Sequence, residues 1–354
     1  MNYASTLYRL LATALHQGAS DVHIGVGRRP SLRVAGSLVA LDDEEIITPE
    51  IAQGLITELL TESQKQRFLQ ERQLDFAYAL ADNTRFRVNV YFQQNNWSAA
   101  LRLISGKIRT IDELGLPPIL HDFTKLGQGF ILTVGPAGHG KSTTTAAIID
   151  EINRERTAHI ITIEDPIEYI FEQGRGIVSQ REVGIDTPSF ASGLKSVLRQ
   201  DPDIVMVGEM RDTDSIAAAM TAAETGHLVF STLHTNSASQ TVDRIIDSFR
   251  PEQQQQAVTQ IAATLIAIIS GRLIPSIDGG RVPAVEIMIV NAAIRNLIRE
   301  RKIFSIDSVI QTSMKDNMIT LDHSLADLVK AGKVTLENAL LHSIHPTELE
   351  KLVS

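Results

Sequence analysis

The sequence predicts an α/β protein of two domains: a mixed α+β unit, followed by a mainly parallel sheet covered by helices on both faces. Three observations carry this prediction. A chain of 354 residues exceeds what one hydrophobic core usually serves. Its N-terminal third pairs period-two strand patterns with amphipathic helices. From Gly129 onward, short and nearly continuous apolar runs alternate with helical segments, as in strands buried on both faces.

Taken in order, Leu7, Leu10, Leu11 and Leu15 recur at helical spacing, and SDVHIGVG and PSLRVAG follow as strand-like runs bounded by Gly and Pro. Helices are expected over about Pro49 to Leu60 and Ser63 to Glu71. Three strand-like runs come next, DFAYAL, TRFRVNVYF and WSAALRLI, and Phe86, Val88 and Val90 alternate with polar neighbours in the middle one. A twisted antiparallel sheet flanked by helices fits residues 1–104. The stretch SGKIRTIDELGLPP, Ser105 to Pro118, breaks both periods and carries Gly and Pro, so the domain boundary is placed at 105–118. Beyond it, FILTV, TTTAAIIDEI, HIITI, DIVMV and HLVFSTL build the parallel sheet of a core over 119–286. A C-terminal region, 287–354, is expected to be almost wholly helical, and Gln253 to Gln256 read as a polar helix face.

Composition narrows the classes. With 43% hydrophobic and 21% charged residues the chain lies far from the disordered corner. Its 33 Lys+Arg against 42 Asp+Glu give a net charge of −9, which argues against a broad basic surface for nucleic acid or anionic lipid. The absence of Cys excludes a disulfide framework, a Cys nucleophile, an iron–sulfur cluster and any Cys-based zinc site. The longest apolar stretch, IAATLIAII from Ile261 to Ile269, is about half the roughly 20 residues that span a bilayer, so no transmembrane segment is expected. The start of the chain lacks a basic leader, and a cytoplasmic location is expected.

The strongest chemical signal is GPAGHGKS, comprising Gly135, Pro136, Ala137, Gly138, His139, Gly140, Lys141 and Ser142, with Thr143 beside it. It satisfies the phosphate-loop pattern, follows the strand FILTV and precedes a helix, as that loop requires. Gly138 and Gly140 let backbone N–H groups wrap a β-phosphate, Lys141 reaches the β- and γ-phosphates, and the Ser142 hydroxyl is placed to ligate Mg²⁺. His139 is expected to contribute only its amide.

Two further apolar strands end in acids, ITIEDPIEY and DPDIVMVGE, and both fit the active edge of such a sheet. In the second, Gly208 stands where a Walker B strand has Asp, so Glu209 is the metal-side carboxylate, with water as a possible bridge. In the first, Glu164, Asp165 and Glu168 cluster around Pro166 and offer a carboxylate to polarise an attacking water; spacing leaves open which one does so. The segment TAAETGHLVFSTLHTN puts His227 and His234 at the two ends of one apolar strand. Seven residues apart, with no further His or Cys at ligand spacing, they do not read as a zinc site; contact with a γ-phosphate or core hydrogen bonding remain as readings of each.

The order GPAGHGKSTT, ITIEDPIEY, VSQREV, DPDIVMVGEMRD, TAAETGHLVFSTLHT resembles the Walker A, Asp, Walker B and His boxes of the secretion-type ATPases, the motors of type II secretion and type IV pili. SDVHI and FRVNVYF resemble their N-terminal domain, so the likeness covers nearly the whole chain. It implies a PAS-like α+β domain followed by a RecA-like P-loop ATPase domain with a helical C-terminal region. Ala293, Ile294, Arg295, Asn296, Leu297, Ile298, Arg299 and Glu300 spell AIRNLIRE, which resembles the C-terminal signature of the pilus retraction ATPases, the PilT family. As a plain helix, this segment turns Ile294, Leu297 and Ile298 toward a core and Arg295, Arg299 and Glu300 toward water. The lack of Cys agrees, since extension and secretion members typically carry a tetracysteine zinc module; the short N-terminal region points the same way.

The resemblance implies Glu168 as general base with Glu164 in reserve, Glu209 organising Mg²⁺, and His234 near the γ-phosphate. It also implies that Arg87 and Arg102, fifteen residues apart, complete the nucleotide site, with Arg85 as a rival; as plain residues they are surface strand arginines. The loop departs from the common GPTGSGKST at Ala137 and His139. The implied protein is a homohexamer using ATP and Mg²⁺ to retract type IV pili and drive twitching motility. It works at the cytoplasmic side of the inner membrane against a platform protein of the pilus base, with a paralogous pilus ATPase as a further partner. The other readings are an extension or type II secretion ATPase, an accessory retraction paralogue, a non-hydrolysing nucleotide-binding regulatory subunit and, least favoured, a nucleic-acid translocase.

Overall fold

The computed structural model describes residues 2–34, 36–80, 84–104 and 106–354. Met1, Ala35 of PSLRVAG, and Ser105, where the boundary segment begins, lie outside them. The chain forms two compact units: residues up to Lys107 together with Pro166–Ile170, and Ile108–Asp165 together with Phe171–Ser354.

The first unit runs α1 (Tyr3–His16), β1 (Asp21–Ile24), β2 (Ser31–Val34), β3 (Ser37–Ala40), α2 (Pro49–Thr57), α3 (Glu62–Glu71), β4 (Gln73–Ala79), β5 (Arg85–Gln93) and β6 (Asn96–Ile104). Local chemistry sets the helix starts. Asn2 accepts the Ser5 N–H ahead of α1, Thr48 does so for Ile51 with Pro49 in the first turn, and Thr61 and Gln64 form a reciprocal capping box on α3. The strands assemble in the order β3-β2-β1-β6-β5-β4, every neighbouring pair antiparallel. Phe86, Val88 and Val90 point to the buried face, where Leu7, Leu10 and Leu11 of α1 belong to the same core. Burial of each such side chain contributes about 2–3 kcal/mol before conformational entropy is subtracted.

The second unit holds α4 (Leu120–Phe123), β7 (Gly129–Val134), α5 (Lys141–Glu155), β8 (His159–Glu164), β9 (Ile177–Glu182), α6 (Phe190–Val197), β10 (Ile204–Val207), α7 (Thr213–Glu224), β11 (Leu228–Leu233), α8 (Ala238–Asp247), α9 (Pro251–Thr264), β12 (Leu265–Pro275) and β13 (Arg281–Ile289). After these come α10 (Ala292–Arg299), α11 (Ile306–Thr312), α12 (Leu321–Lys330), α13 (Leu336–His342) and α14 (Pro346–Val353). Its sheet has the order β13-β12-β7-β11-β10-β8-β9, parallel throughout except for the antiparallel edge strand β13. Strands β7, β10 and β11 are buried along their whole length, which is why they read as unbroken apolar runs.

The fold class is the α/β class expected, with one addition. The apolar run around Ile261 to Ile269 holds the end of α9 and the start of β12, and β12 and β13 form a hairpin that extends the sheet to Ile289. The segment from Ile287 is therefore strand for its first residues and helical only from Ala292.

Candidate functional site

Because β7, β8, β10 and β11 are parallel, their C-terminal ends share one edge of the sheet, and the segments with chemical character leave from there. The phosphate loop follows Val134, Glu164 ends β8, Glu209 lies two residues past β10, and His234 follows Leu233 of β11. Register supports the grouping: Leu233 is opposite Val134, and Val207 is opposite both Ile163 and Ser231.

The loop must leave the sheet at Gly135. A Cβ there would lie 2.4 Å from the Gly271 carbonyl oxygen of β12, and the residue has φ 143°, so only glycine fits. Gly138 and Gly140 follow with φ 77° and 84°, and Gly140 caps α5 without a side-chain hydrogen bond. The first amides of α5 are thus left for an anion, at the positive end of its dipole.

Lys141 is 8% exposed. Its Nζ donates to the carbonyls of Gly135 and Pro136, each at 3.0 Å, and lies 3.3 Å from Nδ1 of His234. An ammonium can only donate, so Nδ1 is the acceptor and Nε2 carries the ring proton. That Nε2 lies 3.1 Å from the Glu209 carboxylate, which also pairs with Arg211. Lys141, His234 and Glu209 therefore form one hydrogen-bonded chain from the phosphate loop to the end of β10. The carbonyls that hold Nζ occupy donors that phosphate oxygens would otherwise take.

Gly208 has a steric explanation. Its N–H donates to the Ile163 carbonyl at 2.8 Å, and an added Cβ would stand 3.3 Å from Glu164 Cα. The close approach of β10 to β8 disfavours a side chain here and leaves the acid to the next residue, Glu209. Glu164 is buried, and its Oε1 accepts from the Thr162 hydroxyl at 2.7 Å and Gln180 Nε2 at 3.2 Å. Glu168 belongs to the segment grouped with the first unit and lies 3.7 Å from Arg87 Nη1.

Arg87 and Arg102 stand opposite each other on β5 and β6. Like charges in that position repel, and each has an acid to offset the repulsion: Glu168 for Arg87, and Asp21 for Arg102 at 2.9 Å. Burial raises the Asp21 carboxyl, but the Ser20 hydroxyl and Arg102 outweigh it and hold Asp21 below its ordinary range. Arg85 Nε is buried with no hydrogen-bond partner among the described residues.

The two histidines of β11 separate. His227 precedes the strand at its N-terminal end, beside Gly129, about 15–20 Å of strand from the phosphate loop. Its Nδ1 lies 2.9 Å from the Ala222 carbonyl and 3.2 Å from the Thr225 hydroxyl, which makes it a residue of the α7–β11 turn and no γ-phosphate contact. His234 alone stands at the active edge.

Two features were missed by sequence reasoning. The His139 side chain is engaged as well as its amide: Nδ1 accepts the Leu273 N–H at 3.0 Å. A cleft beside the loop has an apolar wall of Leu114, Leu116, Leu273 and Pro283, with Arg109 and Arg281 at the same cavity. In the AIRNLIRE helix α10, Ile294 and Ile298 are buried and Leu297 packs on the core, but Arg295 does not face water as expected. Its Nε donates to the Ala262 carbonyl at 2.9 Å and satisfies an orphan acceptor in the last turn of α9. Ala293, Asn296, Arg299 and Glu300 are the exposed members of the motif.

Comparison with known proteins agrees with this geometry. Residues 3–280 match the model of the family described as type II/IV secretion system protein. The chain is 43% identical over 93% of its length, and 96% of the relative's, to the type IV pilus retraction ATPase PilT of Pseudomonas aeruginosa. It is 42% identical to a twitching motility protein of Neisseria gonorrhoeae over 88% of this chain and 83% of that one. A crystal structure of the pilus retraction motor PilT with bound ADP superposes with a TM-score of 0.90 at 44% identity, covering 97% of this chain and 98% of that one. With the phosphate loop, the Glu209 strand end and His234 on one sheet edge, the chain belongs to the type II/IV secretion system protein family of ATPases.

Proposed function

We propose that this chain is a Mg²⁺-dependent ATPase that works as a homohexameric motor and powers retraction of type IV pili, and with it twitching motility. The observation that carries the reading is the hydrogen-bonded chain Lys141–His234–Glu209 beside an uncapped α5 N-terminus. Likeness over nearly the whole chain to a pilus retraction motor that binds ADP supports the coupling to pili.

In this reading the α5 amides and Lys141 bind the phosphates, and Lys141 exchanges the Gly135 and Pro136 carbonyls for phosphate oxygens. The Ser142 hydroxyl and the Glu209 carboxylate are oxygen donors of the kind that suits a hard divalent cation, and Glu209 is only partly buried. Bound there, Mg²⁺ would neutralise charge on the phosphoryl group. His234 senses the γ-phosphate through the hydrogen bonds it shares with Lys141 and Glu209. Glu168 is the general base, its carboxylate oriented by Arg87, and Glu164, already held by Thr162 and Gln180, is the alternative. Arg87, Arg102 and Arg85 add positive charge to the nucleotide site, and loss of the γ-phosphate lets the N-terminal domain, residues 1–104, turn on the linker 105–118.

The motor acts peripherally at the inner membrane against a platform protein. Among the described residues no helix is long and apolar enough to cross a membrane, which is consistent with that placement. The test is ATP turnover by the purified chain with and without Mg²⁺. Turnover abolished by Lys141→Ala supports the reading, and turnover unchanged in that variant contradicts it.

A further inference from the structure

We propose that His139 is a positioning residue of the phosphate loop, its imidazole Nδ1 serving as the acceptor that fastens the loop to β12. The inference rests on the reading of this loop as a nucleotide site and adds to it a side chain from which the motif asks only an amide.

The need for an acceptor follows from the sheet. Parallel pairing of β7 with β12 ends at Val134 and Ser270, where the chain turns into the loop at Gly135. Past that point β12 runs on to Pro275 with β13 on one side and, among the described residues, no strand on the other. Leu273 stands opposite Pro283 of β13, and its N–H donates to His139 Nδ1 at 3.0 Å. The imidazole thus supplies the acceptor that β7 no longer offers. Without it a half-buried N–H is stranded, and the loop loses its side-chain tie to the sheet. Arg281 Nη1, 3.5 Å from the Gly138 carbonyl, is a longer contact between the loop and β13.

Only a neutral ring can accept at Nδ1. The charged and titratable groups around it are Arg281 on β13, His342 on α13, Arg272 on β12 and Lys141 on α5, and Arg109 lines the same cleft. Burial first, and then the electrostatic influence of Arg281, His342, Arg272 and Lys141, hold the imidazole below the ordinary histidine range. The tie is therefore complete at neutral pH and is lost as pH falls through that lowered value.

The experiment is equilibrium binding of a fluorescent ADP analogue to the full chain as wild type, His139→Ala and His139→Asn, with thermal melts as a folding control. His139→Ala is expected to weaken binding about fivefold to tenfold, the worth of one neutral hydrogen bond. Asn places Oδ1 where Nδ1 stood, so His139→Asn is expected to recover most of that loss. As pH is lowered from neutral through the ordinary histidine value of 6.5 and on through the lowered value, the wild type should lose affinity relative to His139→Asn, which does not titrate. The inference is overturned if folded His139→Ala binds like the wild type, or if His139→Asn binds no better than His139→Ala. Should His139→Ala fail to fold, a flat ratio of wild-type to His139→Asn affinity across that pH range overturns it. A wild-type chain that binds no nucleotide analogue refutes the site reading itself, a result distinct from equal binding by the three proteins.

Discussion

Lys141 Nζ lies 3.3 Å from His234 Nδ1, joining the first residue of α5 to the residue that follows β11. The same ring holds Glu209 through Nε2, so the lysine and the glutamate are positioned through one imidazole. His234→Ala removes that link without opening the core, since the side chain is 53% exposed. Turnover should fall at least about tenfold while the melting temperature stays within a few degrees. Steady-state ATPase assays and thermal melts check both halves.

Glu209→Gln keeps the size of the side chain and removes its charge. Nucleotide binding should persist and kcat should fall about 100-fold or more, the usual scale for losing one preorganised electrostatic contact. Parallel binding and turnover measurements separate these effects, and normal turnover would remove Glu209 from the metal-side role.

The AIRNLIRE helix divides into structural and exposed members. Arg295→Ala loses the hydrogen bond to Ala262 at the end of α9 and should destabilise the fold by about 1–2 kcal/mol. Arg299→Ala, at an exposed position, should leave stability within about 0.5 kcal/mol and ATP turnover intact while impairing retraction. Denaturant melts of the two variants, with motility assays for Arg299→Ala, test the division.

Glu286 on β13 is buried, and its carboxyl is pushed up to about 7 by burial, with the Ala238 N–H acting against the shift and Asp307 adding to it. The folded chain therefore holds a proton that the unfolded chain releases near the ordinary carboxyl value of 4.5. Stability from this group is present at low pH and falls as pH rises between those two values, by an amount on the order of 3 kcal/mol. Glu286→Gln should flatten that part of the profile, and melting temperatures from about pH 5 to 8 read it directly. A wild-type profile that rises through this window in step with the variant would contradict the buried, protonated carboxyl.

His121 is likewise held protonated, by hydrogen bonds to carboxylates where Glu286 is held by burial. Its Nδ1 lies 2.8 Å from Glu151 and its Nε2 3.2 Å from Asp112, and the bond to Glu151, more than that to Asp112, raises its pKa against the effect of burial. The tie between the α4 segment and α5 is fully present below the unfolded histidine value and is lost as pH rises through the raised folded one. Glu151→Gln should remove that alkaline loss, seen as a change in the slope of melting temperature with pH.

Much of this was legible because local signals agreed with the fold. The strand–loop–helix context of Gly135 to Ser142 and the alternation of Phe86, Val88 and Val90 each fix an element by nearest-neighbour chemistry. The β12–β13 hairpin was not legible in the apolar run, since α9 ends at Thr264 and β12 begins at Leu265 with no Gly or Pro between them. Asp278, Gly279 and Gly280, the two glycines at φ 87° and 75°, were the turn signal that marks it. The roles of the His139 and Arg295 side chains depend on where β12 and the end of α9 lie, so no spacing within their own segments reveals them.

Whether ATP hydrolysis by this chain powers pilus retraction is decided by deleting the gene in its host, restoring it as wild type or as Lys141→Ala, and counting surface pili alongside twitching motility. Excess pili without motility are expected in the deletion strain, corrected by the wild type and not by Lys141→Ala. Bare cells, or a Lys141→Ala strain that twitches normally, would contradict that expectation.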